Sequence, residues 1–291
     1  MPAPSAAAHE EGFIRAKDDL RLFWQRFTPQ GARATVAVLH GAGDHSGRYP
    51  ALVSALVSSG LSVALVDLRG HGQSDGTRWH VDRFSEYLED VDAFLAKLQA
   101  DRPGEKLFLL GHSNGGLIAV LWALTRGAPG RPNGVILSSP YFALAMAPPA
   151  WKRLGARILG PLMPRLHVSA GIEAAQLTSD QEMQRWTRCD PLYLRATTPR
   201  WFAETAKAQE EVHRRAGEFT TPFLLLVGGA DPVADIRASG AFHELAQSAD
   251  KEYQLYEGFR HELFNEAGRD RPIGTAVSWI TARAGARPES R

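Results

Sequence analysis

Ser113 stands in the run Gly111-His112-Ser113-Asn114-Gly115-Gly116, between an apolar stretch, Leu107-Phe108-Leu109-Leu110, and a helix-like stretch from Leu117. Strand, sharp turn and helix in that order make a G-x-S-x-G frame, in which glycines let the chain double back and thrust the serine hydroxyl outward. A hydroxyl is a weak nucleophile at neutral pH, so Ser113 needs a base to take its proton and an acid to orient that base. Two candidates follow apolar runs further along the chain. Asp231 lies beyond 223–227 through Gly228-Gly229-Ala230, and His261 beyond 252–256 through Glu257-Gly258-Phe259-Arg260. Taken singly, an Asp before Pro232 is a turn former and a loop histidine is a solvated one. Taken together, in the order Ser, Asp, His at the C-terminal ends of three strands, they form a candidate triad. Asp235 reads as a helix N-cap instead. Of the other histidines, His243 falls within a helical pattern, His167 and His213 in an intervening segment, and His9 in a start expected to be disordered.

Acyl transfer also requires donors aimed at the oxygen that becomes negative in the tetrahedral intermediate. The backbone amides of Asn114, at a helix start, and of Ala42, in His40-Gly41-Ala42-Gly43 after the first buried strand, are the candidates for this oxyanion hole.

Positioning these groups calls for a sheet whose strands end on one edge. Apolar and β-branched runs at 35–39, 62–68, 106–110, 134–137, 223–227 and 252–256 alternate with helical patterns at 50–59, 83–99, 116–126, 236–246 and 272–284. Such alternation predicts a mainly parallel sheet flanked by helices, with a hairpin near 20–27 adding antiparallel strands. It stops after 137, and the stretch before 223 is too long for one loop and too irregular for another strand–helix unit. An inserted helical cap over 141–215 is the expectation, with a discontinuous core over 12–140 and 216–285 and flexible ends at 1–11 and 286–291. Trp151, Leu154, Ile158 and Leu159 recur at helical spacing in the cap, followed by a second helix over 199–215. That apolar face either packs on the core or lines an acyl pocket, with Trp151, Ile158 and Leu159 as candidate substrate contacts.

Composition narrows the partners. Thirty-three basic against thirty-two acidic residues give a formal charge of +1, with no field that would draw nucleic acid. One cysteine, Cys189, leaves no intrachain disulfide and suits a reducing cytosol. The start lacks the basic and apolar parts of a secretory signal. No stretch reaches the roughly eighteen apolar residues of a membrane span. A soluble cytoplasmic protein is expected.

With these residues in view, the chain resembles the α/β-hydrolases, and within them the monoacylglycerol lipase and lysophospholipase-like branch. The resemblance rests on Leu39 to Tyr49 (LHGAGDHSGRY), Asp67 to Ser74 (DLRGHGQS), Gly111 to Gly116, Cys189-Asp190-Pro191, Gly229-Ala230-Asp231 and Glu257 to His261. It implies an α/β-hydrolase fold, a triad of Ser113, His261 and Asp231, an oxyanion hole from Ala42 and Asn114, and a cap forming an apolar acyl channel. It also implies hydrolysis of fatty-acid esters, foremost monoacylglycerols, without metal or organic cofactor. Lysophospholipid or simple ester hydrolysis is an alternative; peptidase, acyltransferase or perhydrolase chemistry on the same scaffold is another, and a catalytically silent binding protein a third. The cap around 145–163 is expected to touch lipid surfaces transiently. Asp44 and Arg48 are expected either to hold the polar alcohol portion of the substrate or to form a surface ion pair. The chain departs from family members in carrying Asn114 directly after the serine, where its short amide is able to reach substrate. Arg69-Gly70-His71-Gly72, though phosphate-friendly in composition, reads as a structural turn.

Overall fold

The structure is a computed structural model that describes residues 7–126, 131–146 and 163–285. Strands β1 (Ala7–Arg15), β2 (Arg21–Pro29), β3 (Ala34–Leu39), β4 (Ser62–Val66), β5 (Lys106–His112) and β6 (Gly134–Ser138) come first along the chain. The short β7 (Val168–Ser169) and β8 (Ala196–Thr197) pair with each other, and β9 (Phe223–Gly228) and β10 (Lys251–Tyr256) complete the set. The main sheet has the order β1-β2-β4-β3-β5-β6-β9-β10. From β4 to β10 all neighbours are parallel, whereas β1 and β2 are antiparallel additions.

Every residue of β3, β4, β6 and β9 is buried. Continuous apolar runs of this kind are what a parallel strand needs when helices cover both of its faces. Alternate residues of β3 accordingly enter two cores. Val36 and Val38 pack with Leu52 and Leu56 of α1 (Pro50–Ser58) and with Trp279 and Ile280 near the C-terminus. Ala37 and Leu39 pack on the opposite side with Phe94 and Leu95 of α2 (Ser85–Asp101) and Leu117 of α3 (Asn114–Thr125). Between β6 and β9 lie α4 (Ala174–Leu177), α5 (Gln181–Cys189) and α6 (Pro199–Arg215), together with the β7–β8 pair. After β9 come α7 (Ile236–Leu245) and α8 (Asp270–Ala284).

The chain steps from β3 to β4 on one side and then crosses to β5 on the other, so β3 and β5 flank the switch point of the sheet. Loops leaving adjacent strands there diverge and open a crevice at their C-terminal ends. Leu39 pairs with Gly111 at that edge, which brings the His40-Gly41-Ala42-Gly43 turn beside the Ser113 turn.

One expectation is corrected here. The start read as flexible over 1–11 becomes ordered strand from Ala7 onward, paired with β2 through to Arg15. Its side chains are largely exposed, but an edge strand needs only one backbone partner. Glu10 reaches Arg26 at 2.7 Å and the His9 ring stacks on Phe27 at 4.4 Å. Among the described residues no helix is long and apolar enough to cross a membrane.

Candidate active site

Ser113 joins β5 to α3 with φ +52° and ψ −118°, a conformation that non-glycine residues rarely adopt. The glycines around it are there because backbone atoms leave no room for side chains. A Cβ at Gly111 would strike the carbonyl of Gly115, and one at Gly115 the carbonyls of Leu39 and His40. The strain is thus held between β3 and the first turn of α3, and it leaves the hydroxyl facing a cavity that His261 also lines.

Asp231 and His261 arrive from the loops after β9 and β10. With the imidazole proton on Nδ1, His261 donates to Asp231 Oδ2 at 2.8 Å, and its Nε2 accepts from the Ser113 hydroxyl at 2.8 Å. The remaining Asp231 oxygen accepts from the amides of Val233 at 2.8 Å and Ala234 at 3.0 Å, which fixes the carboxylate. Asp235 caps α7 through the Arg237 amide at 2.9 Å, leaving Asp231 as the acid within reach of the histidine.

Electrostatics reinforce the geometry. Burial alone would lower the His261 pKa, but the charge and hydrogen bond of Asp231 outweigh it, with Glu262 and Asp44 adding to the effect, so it lies above the ordinary histidine value. Burial likewise opposes ionisation of Asp231, yet the histidine and the two amides hold its carboxyl below the usual range. His112, whose ring centre is 5.0 Å from that of His261, is pushed down to about 3 by burial and then by the charge that His261 carries when protonated. It stays neutral, with Nδ1 donating to the Ser138 carbonyl at 3.1 Å.

Ala42 lines the same cavity as Ser113, and Asn114 opens α3 immediately after it. Neither backbone amide donates to a protein acceptor among the described hydrogen bonds. The Asn114 side chain is fully buried, with neither amide atom hydrogen-bonded, and does not line the cavity; the expectation that it reaches substrate is not met.

Beyond the triad the cavity has two characters. Trp79, Tyr141, Leu144, Ile172, Leu177 and Trp201 are among the residues that make its apolar part. Asp44 and Glu262 supply its charge. Arg48 lies behind them, 2.9 Å from each carboxylate and fully buried, so the surface ion pair expected for Asp44 and Arg48 is instead an interior one. The reason is the cap: Trp186, Thr187 and Tyr193 close over the guanidinium. Arg69 is engaged by Asp90 at 2.6 Å and Asp18 at 2.9 Å, in agreement with a structural turn. Trp151, Ile158 and Leu159 lie outside the described residues. Among those described, no group of three or more His, Cys, Asp or Glu side chains is placed to hold a metal ion.

Sequence reasoning passed over Trp79, Leu177, Tyr193, Trp201 and Glu262. Glu262 alone carried a signal, as an acidic residue placed directly after the candidate base.

Comparison with known proteins agrees with this geometry. A family model described as serine aminopeptidase, S33, matches residues 30–268. The chain is 38% identical over 255 residues to the monoglyceride lipase of Homo sapiens, covering 86% of this chain and 82% of that one. It is 34% identical over 239 residues to the phospholipase YtpA of Bacillus subtilis, covering 81% and 91% respectively. The crystal structure of a monoacylglycerol lipase from Paleococcus ferrophilus superposes with a TM-score of 0.81 at 31% identity, over 90% of this chain and 99% of that one. The chain therefore belongs to the serine hydrolases of the α/β-hydrolase fold, in the family of monoacylglycerol lipases and lysophospholipase-like enzymes.

Proposed function

We propose that the protein is a monoacylglycerol lipase that cleaves its ester through an acyl-enzyme on Ser113. The observation that carries this reading is the unbroken relay from the Ser113 hydroxyl through His261 to Asp231, at 2.8 Å for each link, opening into a cavity apolar at one part and carboxylate-bearing at another.

In the first half-reaction His261 Nε2 takes the serine proton as Oγ attacks the ester carbonyl. Asp231 keeps the proton on Nδ1 and stabilises the imidazolium that forms. The amides of Ala42 and Asn114 receive the negative oxygen, a contribution of about 3 kcal/mol for a single donor in comparable sites. The alcohol leaves with the proton from Nε2. Water then enters, gives a proton to the same nitrogen and attacks the acyl carbonyl, and Ser113 is regenerated as the fatty acid departs. The apolar lining takes the acyl chain, and Asp44 faces the alcohol. Exposed Leu144, Met146, Met163 and Leu166 support transient contact with a lipid surface.

The test is a kcat/KM profile over monoacylglycerols of medium and long acyl length, a matched lysophospholipid and an aminoacyl anilide, for the wild type and Ser113→Ala. Monoacylglycerols are expected to be the best substrates, and the folded variant to fall to background. Wild-type turnover by the variant, or preference for the anilide, would overturn the reading.

A further inference from the structure

Glu262 directly follows His261, yet no step of the relay uses it. Its residue is 4% exposed, and it lines the cavity beside Asp44. Glu262 Oε2 accepts from Arg48 Nη2 at 2.9 Å and from Asn265 Nδ2 at 2.9 Å. Asp44 Oδ2 accepts from the Tyr49 hydroxyl at 2.6 Å. Its Oδ1 is paired with Arg48 Nε at 2.9 Å. Arg48 is not part of the lining: it sits behind both carboxylates, near the rings of Trp186 and Tyr193, and gives a further bond to Thr187 at 2.9 Å.

Two carboxylates thus share one guanidinium and leave an excess negative charge at the wall. Among the described residues lining the cavity, Asp44 and Glu262 are the only carboxylates, and no lysine or arginine lines it. A carboxylate accepts and cannot donate. Free hydroxyls of a polyol meet such a wall as donors, whereas a phosphate monoester brings about −1.5 to −2 charges and more acceptors.

We propose that Glu262 is a specificity-determining residue: with Asp44 it makes the alcohol end of the cavity an acceptor-rich, net-negative subsite that takes uncharged polyol esters and turns away esters whose alcohol carries an anionic group. The inference rests on the ester-hydrolase reading above. It assigns Glu262 no part in the bond-breaking steps. The positioning of His261 alone would not need this arrangement, because its orientation is already fixed by Asp231.

The experiment compares wild type and Glu262→Gln on three esters of one medium-length fatty acid, each kept below its micellar concentration: the 1-monoacylglycerol, the corresponding lysophosphatidate and the 4-nitrophenyl ester. The wild type is expected to favour the monoacylglycerol over the lysophosphatidate. Glu262→Gln is expected to shift that kcat/KM ratio at least tenfold toward the phosphate ester, since a unit charge as far as about 12 Å away at an effective dielectric near 20 already amounts to that factor. A merely structural Glu262 would slow all three esters alike and leave the ratio where it was, which would overturn the proposal. Should the variant fail to fold, competitive inhibition of the wild type by non-hydrolysable ether analogues decides instead. The neutral alkylglycerol should bind at least about tenfold more tightly than its phosphate, and equal binding would refute the assignment. Inertness of the wild type toward both the nitrophenyl ester and the monoacylglycerol would sink the ester-hydrolase reading itself. Turnover of both with an unmoved ratio would sink only the role given to Glu262.

Discussion

At the scale of single residues, the proposed reaction turns on the protonation state of His261. The base must be neutral to take the serine proton. The groups facing it are Asp231, Glu262 and Asp44, whose charges raise its pKa, and His112, which burial keeps neutral. Activity is therefore expected to fall away below the His261 pKa and to rise as pH rises through it. The acid limb of kcat/KM for a nitrophenyl ester is expected to have its midpoint above 6.5, the ordinary histidine value, and a midpoint below 6.5 would contradict the electrostatics described. The meeting of Ser113, Asp231 and His261 was legible in the sequence because each follows a recognisable strand and the three stand in the order Ser, Asp, His. The partnership of Glu262 with Arg48 was not, since it spans 214 positions and the place of Glu262 directly after His261 gives no hint of that partner. Asp44 and Arg48 were recognised as a pair, but their burial depends on cap side chains that spacing does not reveal.

Elements decide whether those residues meet. The nucleophile turn is wedged between β3 and α3, and Gly115 sits where the two backbones touch. Gly115→Ala would drive a methyl group into the Leu39 and His40 carbonyls and part the Ala42 turn from the Ser113 turn. A displacement near 1 Å at a reacting centre costs on the order of 100-fold in rate, so kcat for the nitrophenyl ester is expected to fall by about that factor. Rates within a few-fold of wild type in a folded Gly115→Ala protein would show that the turn has slack it is not credited with here. Strands such as β3, β4 and β9 could be read directly, because mostly apolar runs between helical patterns have few other uses. β1 could not. Its sequence, with His9, Glu10 and Glu11, carries no core-facing period, and it becomes a strand only because β2 offers a free edge.

At the scale of the whole molecule, the segment between β6 and β9, proposed as a cap, is joined to the rest of the chain around the site. Leu194 donates to the Gly43 carbonyl at 2.7 Å, His45 pairs with Asp190 at 2.9 Å, and Arg48 reaches Thr187 at 2.9 Å. The loop that carries Ala42 is thereby tied to this segment, so the amide proposed for the oxyanion and the wall proposed for the alcohol belong to one assembly. A break in the strand–helix alternation announced this insertion in the sequence. Its interior was opaque, because α4 and the β7–β8 pair are too short to impose a period. Whether cap and core together present one activated serine can be read by exposing the folded protein to a fluorophosphonate, then measuring intact mass and mapping the modified peptide. One adduct per chain, on Ser113 and lost in His261→Ala, is the expected result. A folded wild type that refuses the probe, or carries it on a different serine, would contradict catalysis by Ser113.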